Sequence, residues 1–303
     1  MTHASYVLIT PARNEEAYIE KTLRSVVAQT VLPAKWVIVS DGSTDRTDEI
    51  VRRYAAAYSF IHLVRAQEQG QRNFGSKVKA FKAGYESVGD IDYEFLGNLD
   101  ADVSFPPNYY ENILGRLHRN PSLGIAGGII VELVNNRFVP QKNSPNSVAG
   151  AVQLFRRACY EEIGGYIPIT SGGIDSAAEI MARSRGWKVQ TFRELEVLHH
   201  RRVSNVGAHI LKARYRQGVT HYLLGYHPLF QIIKCAYRSI EKPYVLGSLF
   251  VLCGYCRSSL LRLQRPLPAY AIQYFRREQM ERIRSVFRTL KIKENRGRDK
   301  KPE

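Results

Sequence analysis

FLGNLDADVSF, residues 95–105, ends a short apolar strand with two carboxylates. Its first half is rich in strand-forming residues, and Asp100 and Asp102 follow at once. Residues two apart in extended backbone lean to the same face, so these carboxylates approach each other. Because like charges repel, the pair favours a cation between them, and Mg²⁺ or Mn²⁺ carrying phosphate oxygens suits such ligands. The stretch predicts a metal site at a strand end; the alternative is a polar turn in which Asp100 caps the next helix.

Apolar strands alternate with amphipathic helices upstream of this stretch. The alternation is typical of a parallel sheet covered by helices, in which ligands bind beyond the carboxyl ends of the strands. Three polar turns fall at that edge, at residues 11–15, 41–45 and 100–102. The predicted strands are 5–10, 35–40, 60–65 and 95–99, with a helix in each interval.

The same alternation continues downstream to about residue 200. Asp175 lies in a glycine-rich turn, SGGID (171–175), just ahead of a predicted helix. Further strands are predicted at 123–131, 150–155, 188–192 and 195–198, a loop or hairpin at 132–147, and helices at 108–119, 156–163 and 176–185.

After about residue 205, helical, basic and aromatic segments replace strands. Residues 244–256 hold no charge but are shorter than the roughly 20 residues that span a bilayer, so a buried helix, a re-entrant hairpin or an interfacial segment remain open. Residues 293–303 are polar and charged, which is typical of a disordered tail. The sequence therefore predicts an α/β domain over 1–204, a basic helical region over 205–292, and a tail.

The 303 residues carry a net charge of +16, which suggests an anionic partner. Much of the excess lies in residues 257–303, with 14 Lys/Arg against 5 Asp/Glu. A basic nucleic-acid-binding protein is one interpretation, because aromatic residues lie among the arginines. No helix-turn-helix, zinc-finger or ribonucleoprotein signature appears, and the basic excess lies outside the acidic sheet edge, so nucleic acid is not expected as a partner.

The cysteines and the N-terminal sequence predict the compartment. Four cysteines are too few for a disulfide framework, and Cys253 and Cys256 lie in an apolar run without a second ligand pair. We interpret them as small buried thiols. The first residues lack the basic segment and long apolar core of a signal peptide, so a cytoplasmic location is expected.

Five motifs, in order, resemble the family-2 glycosyltransferases of the GT-A fold. The resemblance covers residues 5–200 and implies a mixed, mostly parallel sheet flanked by helices. It also implies inverting transfer of a sugar from a nucleotide-sugar donor. The C-terminal third resembles helical tails of enzymes that build extracellular polysaccharide. The motifs are ITPARNEEAYIEKTLRSVVAQT (9–30), VIVSDGSTDRTDEIV (37–51), QRNFGSKVKAFKAGYE (71–86), FLGNLDADVSFPPNYYENIL (95–114) and SGGIDSAAEIMARSRGWKV (171–189).

Residues that bind the nucleotide follow from this resemblance. Asp41 is expected to accept a hydrogen bond from an imide N–H of the base; its alternative role is helix capping. Arg72 and Lys77 are expected near base and phosphates, unless they are solvated charges. The other implied nucleotide-binding residues are Pro11, Ala12, Arg13, Glu15, Asp100 and Ala101.

The resemblance also implies the metal ligands. Asp102 is the direct ligand of Mg²⁺ or Mn²⁺, and Asp100 lies near ribose and metal. His199 and His200 follow the last strand and contact metal or diphosphate, or else are structural. Arg201 either clamps the diphosphate or faces solvent. The cation neutralises the departing nucleoside diphosphate.

Inverting displacement needs one general base on the acceptor hydroxyl and no protein nucleophile. The family places this base in an acidic pair before the late helix. Here the pair is Ile174-Asp175, so one acid is replaced by isoleucine. Asp175 is the expected base, with a helix cap as its alternative role, and Glu179, one helical turn later, either shares the site or takes the role.

The expected acceptor is a glycan or a lipid-linked glycan. Residues 244–256 are apolar, and residues 270–290 mix apolar positions at helical spacing with arginines. We therefore expect peripheral attachment to the anionic inner face of the membrane; the alternative is that these helices pack on protein.

Two other nucleotide-dependent classes fit the sequence less well. A nucleotidyltransferase on a similar sheet would need a glycine-rich phosphate loop after the first strand, and PARNEE (11–16) has no glycine. A dinucleotide dehydrogenase lacks its G-x-G-x-x-G motif.

Overall fold

The computed structural model describes residues 5–66, 74–134, 137–141, 144–201, 208–240 and 243–298. The chain divides into two units, Met1–Ser204 and Asn205–Glu303.

The first half of the sheet in the first unit is parallel. Strand β1 pairs with both β2 and β4, and β2 pairs with β3. Strands β1, β2 and β4 are buried on both faces, which explains their near-continuous apolar sequences. The bounds are β1 Tyr6–Ala12, β2 Lys35–Ser40, β3 Ile61–Arg65 and β4 Phe95–Asn98.

The second half of the sheet is mixed. Strand β8 runs antiparallel between β4 and β6, β9 runs parallel to β6, and β5 closes the edge antiparallel to β9. The full order is β3-β2-β1-β4-β8-β6-β9-β5, with β7 paired to β6, so the predicted mixed, mostly parallel sheet is confirmed. The bounds are β5 Val103–Ser104, β6 Leu123–Val134, β7 Arg137–Pro140, β8 Leu154–Arg156 and β9 Lys188–His199.

Helices flank this sheet and bury their apolar stripes in the core. Helix α1, for example, buries Ile19, Leu23 and Val26, at the helical spacing of the sequence. The bounds are α1 Ile19–Val27, α2 Thr47–Ala57, α3 Phe74–Glu86, α4 Tyr109–Arg119, α5 Arg157–Glu162 and α6 Ile174–Ser184.

Several predicted boundaries near the site are wrong. Pro11 and Ala12 belong to β1, where Pro11 lies opposite Val39, so the first polar turn begins at Arg13. Helix α6 begins at Ile174 and includes Asp175, because Gly173 supplies a left-handed backbone with φ of 86° just before it.

Two of the predicted strands also differ from the structure. The strand predicted at 150–155 begins only at Leu154, since the preceding residues form a turn. The two strands predicted at 188–192 and 195–198 are one strand, β9, with an irregularity opposite Gly128 and Ile129.

The second unit is helical in its described residues. Helices α7 and α9 cross closely at two glycines: a β-carbon on Gly218 would lie 2.0 Å from the Val251 carbonyl oxygen, and one on Gly254 would lie 2.1 Å from that of Tyr215. The bounds are α7 Ala208–Leu223, α8 Pro228–Arg238, α9 Tyr244–Leu260 and α10 Ala269–Arg298.

The structure corrects the sequence on two features of this unit. Helix α10 continues to Arg298, because Lys, Glu and Arg are good helix formers, so the predicted disordered tail is helical over residues 293–298. Residues 299–303 lie outside the described residues. Cys253 and Cys256 are exposed, whereas Cys159 and Cys235 are the buried thiols. None of the described helices is long and apolar enough to cross a membrane.

Candidate active site

Polar turns follow β1, β2 and β4 at one edge of the sheet. Ala12 lies opposite Ser40 in the register of β1 and β2, and the Asp41 N–H donates to the Ala12 carbonyl at 2.9 Å. The Leu99 N–H donates to the Ile9 carbonyl at 3.0 Å, which brings the Asp100 turn beside the other two. The turns predicted from the sequence therefore meet at this edge.

Side chains join the first two turns. Asn14 has a positive φ of 54°, a conformation that asparagine tolerates better than most residues, and its side-chain oxygen accepts from the Thr44 N–H at 2.8 Å. The Glu16 N–H donates to Asp45 at 3.0 Å, and the Glu15 N–H donates to the Thr47 hydroxyl at 2.7 Å. These contacts fix the shape of the site, and the sequence analysis did not identify Asn14 or Asp45.

Arg13 and Asp41 form a half-buried pair at the mouth of these turns. Their charged groups lie 3.9 Å apart, and the two side chains are 30% and 16% exposed. The Asp41 carboxylate therefore keeps accessible oxygen atoms, so it is open to a donor from a ligand.

Arg201 links the first turn to the third. Its guanidinium donates to Asp102 at 2.8 Å and also to the Glu15 carboxylate, and it lies over the Tyr18 ring at 5.4 Å. Asp102 and Glu15 are almost fully buried, so Arg201 supplies the positive charge that two buried carboxylates require. The sequence left open whether Arg201 faces solvent; the structure places it between the acids.

Asp102 is held in its charged form. Burial alone would raise the pKa of this carboxyl, but hydrogen bonds from His199 and Arg201 outweigh burial and lower the pKa to about 2. Nε2 of His199 lies 3.4 Å from Asp102, and this contact raises the pKa of His199 despite partial burial.

His200 faces a different partner. Its Nε2 lies 2.8 Å from the Ser104 hydroxyl, and burial, together with the charge of Lys21, lowers its pKa. The His200 N–H donates to the Asp102 backbone carbonyl at 2.8 Å, but of the two imidazole rings only that of His199 contacts the Asp102 carboxylate among the described residues.

Asp100 lies beside Lys77, with 2.5 Å between the carboxylate and the ammonium. Each side chain is a little over a quarter exposed, so a ligand phosphate can compete for the Lys77 charge. Ala101 is buried between the two acids. Arg72 lies outside the described residues.

The donor set around Asp102 fits a divalent cation with few protein ligands. Among the described residues, no group of three or more His, Cys, Asp and Glu side chains forms a complete metal centre. However, Asp102 is buried and charged, and His199 Nε2 lies 3.4 Å from it. The buried Nδ1 of His199 has no hydrogen-bond partner among the described residues, and the Glu132 carboxylate lies 3.8 Å from it. A carboxylate and an imidazole suit Mn²⁺ or Mg²⁺ when phosphate and water supply the remaining ligands.

Asp175 lies against a loop of residues 147–153, hereafter the 147–153 loop. It is half-buried in the first turn of α6, and its carboxylate accepts from the Ser176 N–H at 2.8 Å. A β-carbon on Gly150 would lie 3.1 Å from that of Asp175, so glycine lets the loop approach the acid. The same loop accepts the Asp100 N–H at Ala151, 2.9 Å away. Asp100 and Asp175 thus flank one short loop.

Glu179 is buried and holds this loop in place through hydrogen bonds. Its carboxylate accepts from the Val148 N–H at 2.6 Å and from the Ser147 hydroxyl at 3.2 Å, while Arg183 lies 3.7 Å away. Burial raises the pKa of Glu179 to about 7, even though Arg183 opposes the shift. With 3% exposure, this carboxylate is far less accessible than that of Asp175.

Comparison with known proteins adds a family and a fold. A sequence model of the family described as Glycosyl transferase family 2 matches residues 7–179. The poly-beta-1,6-N-acetyl-D-glucosamine synthase of Staphylococcus aureus strain COL is 23% identical over 163 residues, which are 50% of this chain and 39% of that protein. The chain therefore spans well under half of that relative.

Two solved structures share the fold. The TarS 1-349 fragment of S. aureus in complex with UDP-GlcNAc has a TM-score of 0.60 at 15% identity, over 93% of this chain and 92% of that one. The mannosyltransferase PcManGT from Pyrobaculum calidifontis in complex with GDP-Man and Mn²⁺ has a TM-score of 0.56 at 18% identity, over 96% and 88%. At such identities the likeness carries the fold alone.

Proposed function

The chain belongs to glycosyltransferase family 2, and from this premise we propose that it moves a sugar from a nucleoside-diphosphate-sugar to an acceptor hydroxyl with inversion. The observation that carries the proposal is that Asp100 and Asp175 both border the 147–153 loop, with Asp102 two residues beyond Asp100. No specific observation favours the nucleic-acid or nucleotidyltransferase alternatives.

The nucleotide occupies the first two turns in this proposal. Asp41 accepts a hydrogen bond from the base, while Arg13, 3.9 Å away, holds its orientation. Lys77, which is paired with Asp100 through a part-buried contact, shifts toward the phosphates. The wall of this pocket is formed by Pro11, Ala12, Glu15 and Ala101. The Glu15 carboxylate accepts a hydrogen bond from Arg201, so it does not bind the ligand.

Asp102 and His199, with Asp100 nearby, would hold a divalent cation, which would supply positive charge to the diphosphate. The presence of Mn²⁺ in the PcManGT complex supports a divalent cation in this proposal. Arg201 has a separate role, since it fixes the Asp102 carboxylate and orients it toward the site. His200, bonded to Ser104, supports the end of β9.

Asp175 acts as the general base. The acceptor oxygen attacks the anomeric carbon, the bond from that carbon to the phosphate oxygen breaks, and its electron pair leaves with the nucleoside diphosphate. The acceptor proton passes to the Asp175 carboxylate. Half-burial and the absence of a crowding side chain at Gly150 support this role. Glu179 is a positioning residue that holds the 147–153 loop.

The acceptor is a lipid-linked or growing glycan, and the enzyme binds the inner face of the membrane. Of the two segments that the sequence suggests for attachment, residues 244–256 keep exposed apolar side chains, whereas part of the stripe in residues 270–290 is buried. Ile272 and Phe275 of α10 are buried, and Phe275 packs on Tyr226 at 5.0 Å, so that part of the predicted stripe is used within the protein. On α10, Tyr270 and Val286 remain exposed. A larger set of exposed apolar residues lies on α8 and α9: Leu229, Ile232, Ile233, Tyr237, Tyr244, Val245, Leu246, Leu249 and Leu260.

A donor screen tests the proposed function. Purified protein with Mg²⁺ or Mn²⁺ is mixed with each of a panel of UDP- and GDP-sugars, with and without polyprenyl-linked acceptors, and nucleoside diphosphate release is measured. We expect one donor to give acceptor-dependent release. Release that no acceptor stimulates would reduce the activity to hydrolysis and contradict a biosynthetic role.

A further inference from the structure

Glu132 is a partly buried acid on β6, beside the candidate metal ligands. In the register of the sheet it lies opposite His199 of β9 on one side and Val139 of β7 on the other, so strand pairing holds its backbone from both sides. Its side chain is 24% exposed. A carboxylate is costly to bury unless its oxygen atoms have donors, so the partners of Glu132 indicate its role.

The Glu132 carboxylate has one close partner and one distant partner. The Gln141 side-chain amide donates to Oε1 at 2.6 Å, and the Gln141 N–H donates to the Ile130 carbonyl at 2.8 Å, so Gln141 is itself held in place. The same Oε1 lies 3.8 Å from Nδ1 of His199. Among the described residues, no other carboxylate lies within ion-pair distance of that nitrogen.

Nδ1 of His199 is a buried polar atom that makes no hydrogen bond within the described part of the chain. Buried polar atoms of this kind are rare and costly. A hydrogen bond needs about 2.7–3.2 Å between nitrogen and oxygen, so a side-chain movement of roughly 1 Å would join Nδ1–H to Glu132. The other ring nitrogen, Nε2, lies 3.4 Å from Oδ2 of Asp102, at the candidate metal site.

The two nitrogens of a neutral imidazole have different capacities, because one carries the proton and the other has a lone pair. Only the lone pair can bind a cation, and in His199 the nitrogen beside Asp102 is Nε2. Nδ1 then carries the proton, and an acceptor for that proton fixes both the tautomer and the orientation of the ring. Glu132 is placed to be this acceptor.

We propose that Glu132 is a positioning residue that keeps the proton of His199 on Nδ1 and leaves Nε2 available to a divalent cation, while Gln141 holds Glu132 in place. The inference rests on the proposed function, since it takes His199 as a metal ligand. Cation binding and the state of the His199 ring are nevertheless measurable without sugar transfer.

Mn²⁺ titrations test the proposal in the absence of a sugar donor. Free Mn²⁺ is quantified by electron paramagnetic resonance with the full-length wild-type protein, Glu132→Leu and Glu132→Gln. Leucine removes the acceptor and should weaken Mn²⁺ binding about ten- to a hundredfold, the range for the outer partners of metal-bound histidines. Glutamine keeps an oxygen acceptor for Nδ1–H and should restore most of the affinity.

Two results of these titrations would overturn the proposal. In one, Glu132→Leu binds Mn²⁺ as tightly as the wild-type protein. In the other, Glu132→Gln loses as much affinity as Glu132→Leu, because the charge of Glu132 rather than its hydrogen bond would then be responsible. Thermal melts of each variant identify one that fails to fold.

Glu196→Leu is the matched control. Glu196 is an exposed acid on β9, the strand that carries His199, so this variant removes the same charge by the same substitution close to the site. Its Mn²⁺ affinity should stay within about twofold of the wild type. A loss equal to that of Glu132→Leu would overturn the specific role of Glu132.

Nuclear magnetic resonance of the imidazole N–H gives a readout that a merely structural role would not move. With saturating Mg²⁺, the Nδ1–H of His199, assigned by its loss in His199→Gln, should give a downfield proton signal that exchanges slowly with water. In Glu132→Leu this proton should exchange rapidly. A signal that is absent from the wild-type protein, or equally protected in Glu132→Leu, would overturn the proposal.

The wild-type titration separates this inference from the proposed function. Wild-type binding of Mn²⁺ with unchanged affinity in Glu132→Leu would overturn only the role of Glu132. No binding of Mn²⁺ by the wild-type protein, alone or with UDP or GDP present, would contradict the metal site of the proposed function as well.

Discussion

At the scale of single residues, two buried acids of the site have pKa values that move in opposite directions. Burial raises the pKa of both carboxyls. At Asp102 the surrounding donors outweigh burial, and the pKa falls to about 2; at Glu179 they do not, and the pKa rises to about 7. The difference follows from partners: Arg201 and His199 contact Asp102 directly, whereas Arg183 lies 3.7 Å from Glu179. Asp102 is thus ready to hold a cation, and Glu179 is not.

The raised pKa of Glu179 predicts a pH-dependent stability. The unfolded chain releases this proton near pH 4.5, but the folded protein retains it until about pH 7, so stability falls as pH rises between these values. The free energy of unfolding falls by about 3 kcal/mol over this range, since each pH unit between the two pKa values costs about 1.4 kcal/mol. Glu179→Gln should flatten this part of the profile in urea unfolding.

Glu161→Gln is the matched control, because Glu161 is exposed on α5 and pairs with Arg157 one turn away. Its unfolding profile should follow that of the wild-type protein between pH 4.5 and 7. A Glu179→Gln profile that falls as steeply as the wild type would contradict the burial argument.

The metal assignment predicts that Asp102→Asn removes most activity and that excess chelator does the same to the wild-type protein. Loss of the negative charge weakens cation binding, while the amide keeps a similar volume. Turnover with added Mg²⁺ or Mn²⁺ measures both effects, and Asp92→Asn, at an exposed position, should be normal. Full wild-type turnover in excess chelator would exclude the cation from the reaction.

At the scale of elements, the sequence predicted the first four strands closely, including β1, β2 and β4, whose apolar runs are buried on both faces. β2 was predicted at its observed bounds, and β1, β3 and β4 within two residues. The turn before β8 was mistaken for strand because Ala151 and Val152 are also apolar, although the Gln153 amide donates to the Val148 carbonyl within the loop. The local pattern of apolar and polar residues does not indicate such hydrogen bonds.

The same limit applies to the site. The acids were identified because they follow strands, but Arg201 joins Asp102 across 99 positions of sequence, and no local pattern indicates that pairing. The role of Glu179 was ambiguous because its burial depends on the 147–153 loop, which approaches α6 only in the folded chain.

The close crossing of α7 and α9 predicts that replacing glycine by alanine there lowers stability, the opposite of the usual effect in a helix. Alanine normally stabilises a helix interior by about 1 kcal/mol over glycine. At Gly254 the added methyl would meet the Tyr215 carbonyl, so Gly254→Ala should destabilise the protein by about 1–3 kcal/mol. Thermal unfolding measures the change.

Gly115 in α4 provides the comparison. A methyl group there would meet only the Arg119 guanidinium, at 3.5 Å, which is ordinary contact. Gly115→Ala should therefore leave stability unchanged or raise it. Equal or opposite responses at the two glycines would contradict the close helix crossing.

At the scale of the whole molecule, charge and apolar exposure are unevenly distributed. The net charge is +16, and exposed aromatic and aliphatic residues are concentrated on α8 and α9 of the second unit. Basic residues near an anionic leaflet contribute about 1 kcal/mol each, and buried apolar side chains add to this. The combination favours reversible attachment to a membrane surface.

Sedimentation with liposomes tests attachment. The full-length protein should bind vesicles that contain acidic lipid and should dissociate as salt is raised. Val245→Ser with Leu249→Ser, one turn apart on α9, should reduce binding, whereas Leu32→Ser with Val139→Ser alters similarly exposed positions of the first unit and should not. A protein that stays in the supernatant at low salt would contradict the membrane role.

The central claim is that this sheet edge transfers sugar with Asp175 as the base. The most direct test is to measure donor affinity and turnover for Asp175→Asn and Glu179→Gln with the donor found by the screen. We expect Asp175→Asn to lower turnover by roughly 10²–10⁴ with unchanged donor affinity, and Glu179→Gln to stay near normal. Near-normal turnover of Asp175→Asn beside a crippled Glu179→Gln would contradict it.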